Sequence, residues 1–300
     1  MKHIFIINPV AGKRDISIEL SQKIKQCFKN LNEKYEIFIT KYKGNAKEIA
    51  QNECKNNDFC RIYSIGGDGT LNEIVEGVYE FSNCAIGIYP CGTGNDFIKN
   101  FENYNTLPKI EQLINGDIIE CDLIKANDKV GINVCSIGFD AEIARNVSRF
   151  KRFFSGNLAY KLSLAFCFLT KTKFNLSINI DDSYEMNSKF IFAVAANGAY
   201  YGGGFNPAPM ALVNDRQLDF VLIKAVSRLQ ILSLVKKYKN GTHINRKDIV
   251  KYINGKKMNV KSETNIFYNV DGEVFSAKQV EFQIIPNKIK IILPCRLIKK

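Results

Sequence analysis

Histidine is nearly missing from this 300-residue chain: His3 and His243 are the only two. Neither stands near a zinc-like ligand set, which sets aside a structural or catalytic zinc. The nine cysteines include no CxxC pair. An odd, widely spaced set fits the reduced core thiols of a cytosolic protein and not a disulfide framework. No uninterrupted apolar run, Leu164 to Leu169 included, approaches the length of a membrane span. The opening MKHIFIINPV is too short for a secretory leader and runs straight into motif-like sequence, so it reads as a first strand. Internal repeats and low-complexity linkers are lacking too. Acidic residues are in deficit: 30 Asp and Glu against 42 Lys and Arg, a formal charge of +12. That surplus favours an anionic partner, whether nucleic acid, nucleotide or acidic membrane surface, and is silent about fold. Nucleic acid is not expected, because no helix-turn-helix, zinc finger or stacking-aromatic motif accompanies the charge.

Against these absences one stretch stands out, Ser64-Ile65-Gly66-Gly67-Asp68-Gly69-Thr70-Leu71-Asn72-Glu73. The apolar run Ile62 to Ile65 leads into it, and Leu71, Ile74, Val75 and Val78 leave it at helical spacing. Glycines around one aspartate, between strand and helix, describe a backbone that approaches a ligand closely. Free N–H groups and a positive helix end suit that ligand to be a phosphate. A tight turn without ligand is the alternative, since a glycine cluster alone is a weak motif. A packing turn, however, has no need of a carboxylate among its glycines.

The flanking chain repeats the same rhythm. His3 to Asn8 reads as a buried strand ending in the turn Asn8 to Lys13, and Ile16, Leu20, Ile24, Cys27, Phe28 and Leu31 follow at helical spacing. Tyr35 to Thr40 is a second strand, with a short helix through Ala46, Ile49 and Ala50. Arg61 to Ile65 is the third strand, and Ala85 to Tyr89 the fourth, emptying into Pro90-Cys91-Gly92-Thr93-Gly94-Asn95-Asp96-Phe97. Strand–loop–helix repetition predicts an α/β fold with a parallel sheet that binds ligands at the carboxyl ends of its strands. Near Asp122 the rhythm changes to short, often alternating strands: 131–137, 175–180, 189–196, 218–225 and several between Ile249 and Pro286. Two helices interrupt them, one from Phe153 to Leu169 and one capped by Ser227 and stopped by Lys236, Lys237, Tyr238, Lys239 and Gly241. The expectation is two domains: an α/β domain over 1–121, and a largely antiparallel, β-rich domain over 122–286. The strand 287–294 closes one or the other.

Three classes compete for the first domain. A dinucleotide fold wants G-x-G-x-x-G after its first strand and an acidic residue closing the second. Here the first loop is Asn8-Pro9-Val10-Ala11-Gly12 and the second strand ends in Thr40. The P-loop pattern G-x-x-x-x-G-K-[ST] is also absent. A phosphotransferase with a phosphate loop of its own needs backbone N–H groups, a divalent cation and a base for the attacking hydroxyl. Asp68, Asp96 and the late Asp271-Gly272-Glu273 supply carboxylates for it.

GGDGTLNE at Gly66 to Glu73 together with PCGTGNDF at Pro90 to Phe97 resembles the diacylglycerol kinase catalytic-domain superfamily, and more narrowly the bacterial soluble diacylglycerol kinase and YegS-like lipid kinase group. Asn8 to Gly12, Gly138-Phe139-Asp140, Asn197-Gly198, Tyr201 to Gly204, Val213-Asn214-Asp215 and Asp271-Gly272-Glu273 match the family pattern in order, across almost the whole chain. The resemblance implies an ATP site lined by Asn8, Pro9, Val10, Ala11, Gly12, Thr40, Gly66, Gly67, Asp68, Gly69, Thr70, Leu71, Asn72, Glu73 and Thr93. It implies Asp68 near the phosphates and catalytic Mg²⁺, Glu273 as the general base, and Asp96 in the charged network between them, with Lys99 where arginine is frequent. A separate structural Mg²⁺ would fall on the Asp215 carboxylate and the carbonyls of Leu212 and Gln217; Arg216 stands where the family commonly has glycine. The implied fold is a nucleotide domain that also receives 287–300, a β-rich lipid domain, and an active site in the cleft.

The residues themselves leave plainer readings open. Asp271-Gly272 is a common hairpin signal, Asp215 suits a surface turn, Asp140 suits a helix cap, and Gly202 to Gly204 a tight turn. The segment Phe153 to Leu169 is a core helix by default. The sharper reading has part of it facing lipid, helped by Lys151, Arg152, Lys161 and Lys171. The expected protein is a cytoplasmic ATP- and Mg²⁺-dependent lipid kinase at the inner, anionic membrane face, with diacylglycerol as leading substrate and a homodimer as an open option. Another lipid alcohol or NAD as acceptor, or a non-catalytic nucleotide- or lipid-binding protein, are the alternatives.

Overall fold

A computed structural model describes residues 1–12, 14–29, 31–150, 156–170 and 172–295. The chain divides into two compact units, one of 1–122 with 286 onward and one of 123–285. Both crossings fall inside strands.

The first unit runs β1 (Lys2–Ile7), α1 (Ser17–Phe28), β2 (Lys34–Ile39), α2 (Asn45–Asn56), β3 (Cys60–Gly66), α3 (Asp68–Val78), β4 (Cys84–Pro90), α4 (Ile110–Ile114) and the start of β5 (Asp117–Ala126). The strands lie in the order β2-β1-β3-β4, each neighbouring pair parallel. Residues 291 and 292 add a further parallel segment beside Ile86 and Gly87. Ile4 to Ile7, Ile62, Tyr63 and Ile65 are buried without alternation, as strands covered on both faces must be. Leu20, Ile24 and Phe28 of α1 and Leu71, Ile74, Val75 and Val78 of α3 supply the cover. Phe5 stacks on Tyr63 at 4.4 Å between centroids and meets the Phe28 ring edge-on at 5.7 Å.

The second unit contains β6 (Lys129–Gly131), β7 (Val134–Gly138), α5 (Phe139–Phe150), α6 (Gly156–Thr170), β8 (Phe174–Ile180), β9 (Tyr184–Ala196), β10 (Leu218–Lys224), α7 (Arg228–Lys239), β11 (Val250–Gly255), β12 (Lys257–Val270) and most of β13 (Glu273–Leu293). Its strand pairs are antiparallel. β9 and β12 are long enough to carry β8 along one stretch and β7 along another. β8 alternates, with Phe174, Leu176, Ile178 and Ile180 turned into the core. Ser227 caps α7 in a reciprocal box with Gln230, and Gly241 follows its end at φ 73°.

Two sequence expectations are corrected here. Three helices, not two, interrupt the strands: the one expected roughly over Phe153 to Leu169 is α6, at Gly156–Thr170, and α5 precedes it unforeseen. Residues 151–155 and 171, hence Lys151, Arg152, Phe153 and Lys171, lie outside the described residues, as do Lys13 and the side chain of Lys161. Nor is 287–294 a separate strand: β13 is continuous through Pro286 and the left-handed Asn287 (φ 49°). The Asn287 N–H donates to Asp122 Oδ1 at 2.6 Å, so the bend leaves no orphaned donor. All nine cysteines are free thiols, and no helix among the described residues is long and apolar enough to cross a membrane.

Candidate functional site

In the first unit three loops meet beyond the carboxyl ends of β1, β3 and β4. Backbone contact sets their spacing. A Cβ on Gly92 would lie 2.5 Å from Gly67 Cα, a backbone clash that requires glycine there, and one on Gly94 would lie 2.6 Å from Asp68 Oδ2 and displace that carboxylate. Cys91 N–H donates to Gly66 O at 2.8 Å, and Asn8 N–H to Ile65 O at 2.9 Å. Asn8 Nδ2 reaches Thr70 Oγ1 at 3.0 Å, joining the first loop to the first turn of α3. Thr40 is tied beside them by its N–H on Ile7 O at 2.9 Å.

Asp68 opens α3 behind the N-cap Gly67, which has no side chain to occupy the first N–H groups of the helix. Its Oδ1 accepts the Asp96 N–H at 2.7 Å. Burial, then the neighbouring Asp96 charge, holds its carboxyl above the ordinary range, against the pull of the 95–97 amides. Asp96 is buried, and Lys99 Nζ donates to its Oδ1 at 2.5 Å. Asn95 sits at φ 48° and closes the loop with bonds to Gly92 N and O. Val10, Gly12, Gly69 and Thr93 are exposed on these loops, whereas Leu71 and Asn72 are buried beneath them. Glu73 is engaged elsewhere: its Oε2 accepts the Ala46 N–H at 3.3 Å, at the amino end of α2.

The second unit builds its corner differently. Asp271 (φ 44°) and Gly272 (φ 97°) form the two-residue turn between β12 and β13, where Val270 pairs with Glu273. The Asp271 carboxylate accepts from Ile132 N at 2.6 Å, Asn133 N at 3.2 Å and Val134 N at 2.8 Å. Asn197, buried at the end of β9, donates from Nδ2 to Ile132 O at 2.7 Å and from its N–H to Asn133 O at 2.9 Å. Hairpin, β7 and β9 are thus braced together, and Glu273 stands half-buried at the first position of β13. Asp140, in the first turn of α5, accepts its own helix's Ala141 N–H at 2.8 Å. Its other oxygen takes the Tyr201 hydroxyl at 3.0 Å, and burial raises its carboxyl. Gly202 to Gly204 all have positive φ, in a tight turn closed by a Tyr201–Phe205 bridge.

Leu212, Asp215 and Gln217 share the loop before β10; Leu212 is exposed and Asp215 half-buried. Gln217 N–H donates to Asp215 Oδ1 at 3.0 Å. Arg216 adopts φ 63°, the conformation glycine would take there without strain. The neighbouring Asp219 is raised by burial, against the pull of the Tyr252 and Asn254 side chains, with Asp215 adding to the rise; Asn254 Nδ2 donates to its Oδ1 at 2.9 Å. An oxygen-only cation suits the chemistry of this loop, as it suits half-buried Asp68 beside buried Asp96, because each sets one carboxylate's charge against another. Among the described residues no cluster of three His, Cys, Asp or Glu side chains is placed to hold a metal. An ion at either place must complete its shell with carbonyls, water or phosphate, as Mg²⁺ commonly does.

The loops and the glycine contacts of the first unit form a backbone-lined corner of the kind that suits a phosphate. Comparison with known proteins gives the family. The diacylglycerol kinase catalytic domain matches residues 2–126, and the YegS C-terminal NAD kinase beta sandwich-like domain matches residues 133–293. The chain belongs to the diacylglycerol kinase catalytic-domain superfamily, in its YegS-like group. A Staphylococcus aureus (strain Mu3) protein named "Putative lipid kinase" is 29% identical over 297 residues, covering 97% of this chain and 94% of its own. Two solved Bacillus anthracis structures share the fold. One, described as a "putative diacylglycerol kinase", has a TM-score of 0.77 at 22% identity and covers 97% of this chain and 95% of its own. The other, described as a diacylglycerol kinase, has a TM-score of 0.70 at 19% identity and covers 97% and 96%.

Proposed function

We propose that this chain transfers the γ-phosphoryl group of ATP to the hydroxyl of a membrane lipid, with diacylglycerol as substrate and phosphatidic acid as product. The observation that carries this reading is the Asp68 carboxylate at the open amino end of α3, locked to the Asp96 amide and walled by glycines that admit no side chain. Backbone N–H groups of Gly67 to Thr70 and the first loop, Asn8 to Gly12, receive the phosphates, while Thr40 and Thr93 border the nucleotide. A bound Mg²⁺ supplies charge neutralisation on the transferring group, and Asp68 is the residue to hold it. Asp96, itself balanced by Lys99, fixes the Asp68 carboxylate through the bond from its amide. Glu273 accepts the lipid hydroxyl proton; the turn residue Asp271 is committed to three backbone amides and is excluded from that role. Asp215, with the carbonyls of Leu212 and Gln217, would hold a second Mg²⁺, which would fix this loop.

The test is a panel in which ATP and Mg²⁺ are offered with diacylglycerol, monoacylglycerol, sphingosine, phosphatidylglycerol, ceramide and NAD. Phosphate transfer to diacylglycerol above the other acceptors is expected. Transfer to NAD alone, or to nothing while ATP still binds, would overturn the reading.

A further inference from the structure

Helix α7 is apolar on two sides. Ile231, Leu234 and Tyr238 are buried in the core, as an amphipathic helix requires. Leu229, Leu232 and Val235 point the other way and are 80%, 58% and 43% exposed. Helix α6 does the same, with Ser163 and Cys167 buried while Phe166 and Leu169 stand out, Leu169 at 70%. The two stripes adjoin: Arg228, at the start of α7, donates from Nε to Phe168 O at 2.9 Å and from Nη2 to Leu169 O at 2.8 Å, at the end of α6. Exposed Leu169 and Leu229 therefore stand at the two helix ends that these bonds join.

The two helices carry side-chain charge of one sign. Among the described residues, α6 and α7 are the two α-helices without an aspartate or glutamate; every other one carries at least one. The last turn of α7 adds Lys236, Lys237 and Lys239, all exposed. Leucines beside lysines, with no carboxylate, match an interface of acyl chains under anionic headgroups. The lysine stems lie along the apolar region while the ammonium groups reach phosphate. A second copy of the chain fits poorly. A two-fold contact would set this basic helix end against itself, in a chain already at +12.

We infer that the shared outer face of α6 and α7 is the surface by which this protein docks on an anionic bilayer. The choice of occupant rests on the lipid-kinase reading; the face itself does not. Wild-type full chain should co-sediment with phosphatidylcholine vesicles containing phosphatidylglycerol and release as salt is raised. Leu229→Ser with Leu232→Ser should weaken that binding about tenfold. Lys236→Gln, Lys237→Gln and Lys239→Gln together should weaken it about 100-fold and leave little difference between anionic and neutral vesicles. The substituted positions are exposed, and an unchanged urea midpoint confirms the fold. Full vesicle binding by both variants overturns the docking face. So does a wild-type dimer in sedimentation analysis that Leu229→Ser with Leu232→Ser converts to monomer without change in vesicle binding. Phosphorylation of short-chain diacylglycerol in detergent micelles separates the two readings. Transfer there by a chain whose vesicle binding ignores both variants sinks the docking face alone. Vesicle binding that follows the variants without transfer to any lipid sinks the kinase reading alone.

Discussion

The two units place their carboxylates by opposite means. In the first, Asp68 is positioned by backbone packed on backbone: Gly67 against Gly92, and Gly94 against the carboxylate itself. In the second, Glu273 is positioned by side chains that reach backbone groups far away in sequence, Asp271 to the 132–134 amides and Asn197 to Ile132 O. A site made by close approach tolerates no added atom. A site made by hydrogen bonds tolerates a change of atom, provided an acceptor remains. Mutations should therefore divide along that line.

The largest effect is expected where the second unit's corner is asked to do chemistry. Glu273→Gln should lower turnover roughly 100- to 10,000-fold with ATP affinity retained; near-normal turnover would remove Glu273 from the mechanism. Next is the brace behind it. Asp271→Ala leaves three amides without their acceptor and should cost about 3 kcal/mol in urea unfolding. Asp271→Asn, which keeps one oxygen, should cost about a third as much; equal losses would show that charge, not acceptance, holds the hairpin. In the first unit, Gly92→Ala should cost about 1–3 kcal/mol, because the methyl meets Gly67 Cα at 2.5 Å. Gly69→Ala, with nothing within 4 Å, should stay within about 0.5 kcal/mol, so the contrast between two glycines of one loop cluster tests close approach directly. The smallest effect runs the other way. The folded Asp68 carboxyl titrates above its unfolded value, so its ionised form opposes folding above the folded pKa, and the penalty disappears below the ordinary carboxylate range. Asp68→Asn should accordingly stabilise the ligand-free protein near neutral pH and lose that advantage on acidification. A stability gain independent of pH would contradict the burial cause.

Local signals carried the mixed α/β and β-rich organisation well. The periodicity of Leu71, Ile74, Val75 and Val78 is the buried face of α3, and Ser227 with Gly241 bracket α7. What was not legible has distant partners. Glu73 reads as part of a phosphate motif, yet its carboxylate takes the Ala46 amide at the start of another helix. Asn197 reads only as part of the family pattern and is a buried brace. The turn reading of Asp271-Gly272 and the functional reading of Glu273 compete in the sequence; the structure gives the turn to the first two residues and sets the third at the strand's first position. The outward leucines of α7 were hidden by the buried ones, since both sets repeat within one helical period.

The passage of β13 through residues 285 and 286 has a consequence for synthesis. The parallel sheet of the first unit has its N-terminal strands finished early, but the segment that flanks β4, Ile291 and Ile292, is translated after the whole second unit. Tyr104, Asn103 and Gln112 likewise wait for carbonyls at Ile292, Pro294 and Cys295. On the ribosome the nascent first unit therefore carries an unpaired β4 edge while 163 intervening residues, 123–285, emerge and collapse. The parallel sheet of the first unit thus gains its β4-flanking segment only after residues 123–285 have been made, and until then that edge offers unpaired backbone groups to other strands.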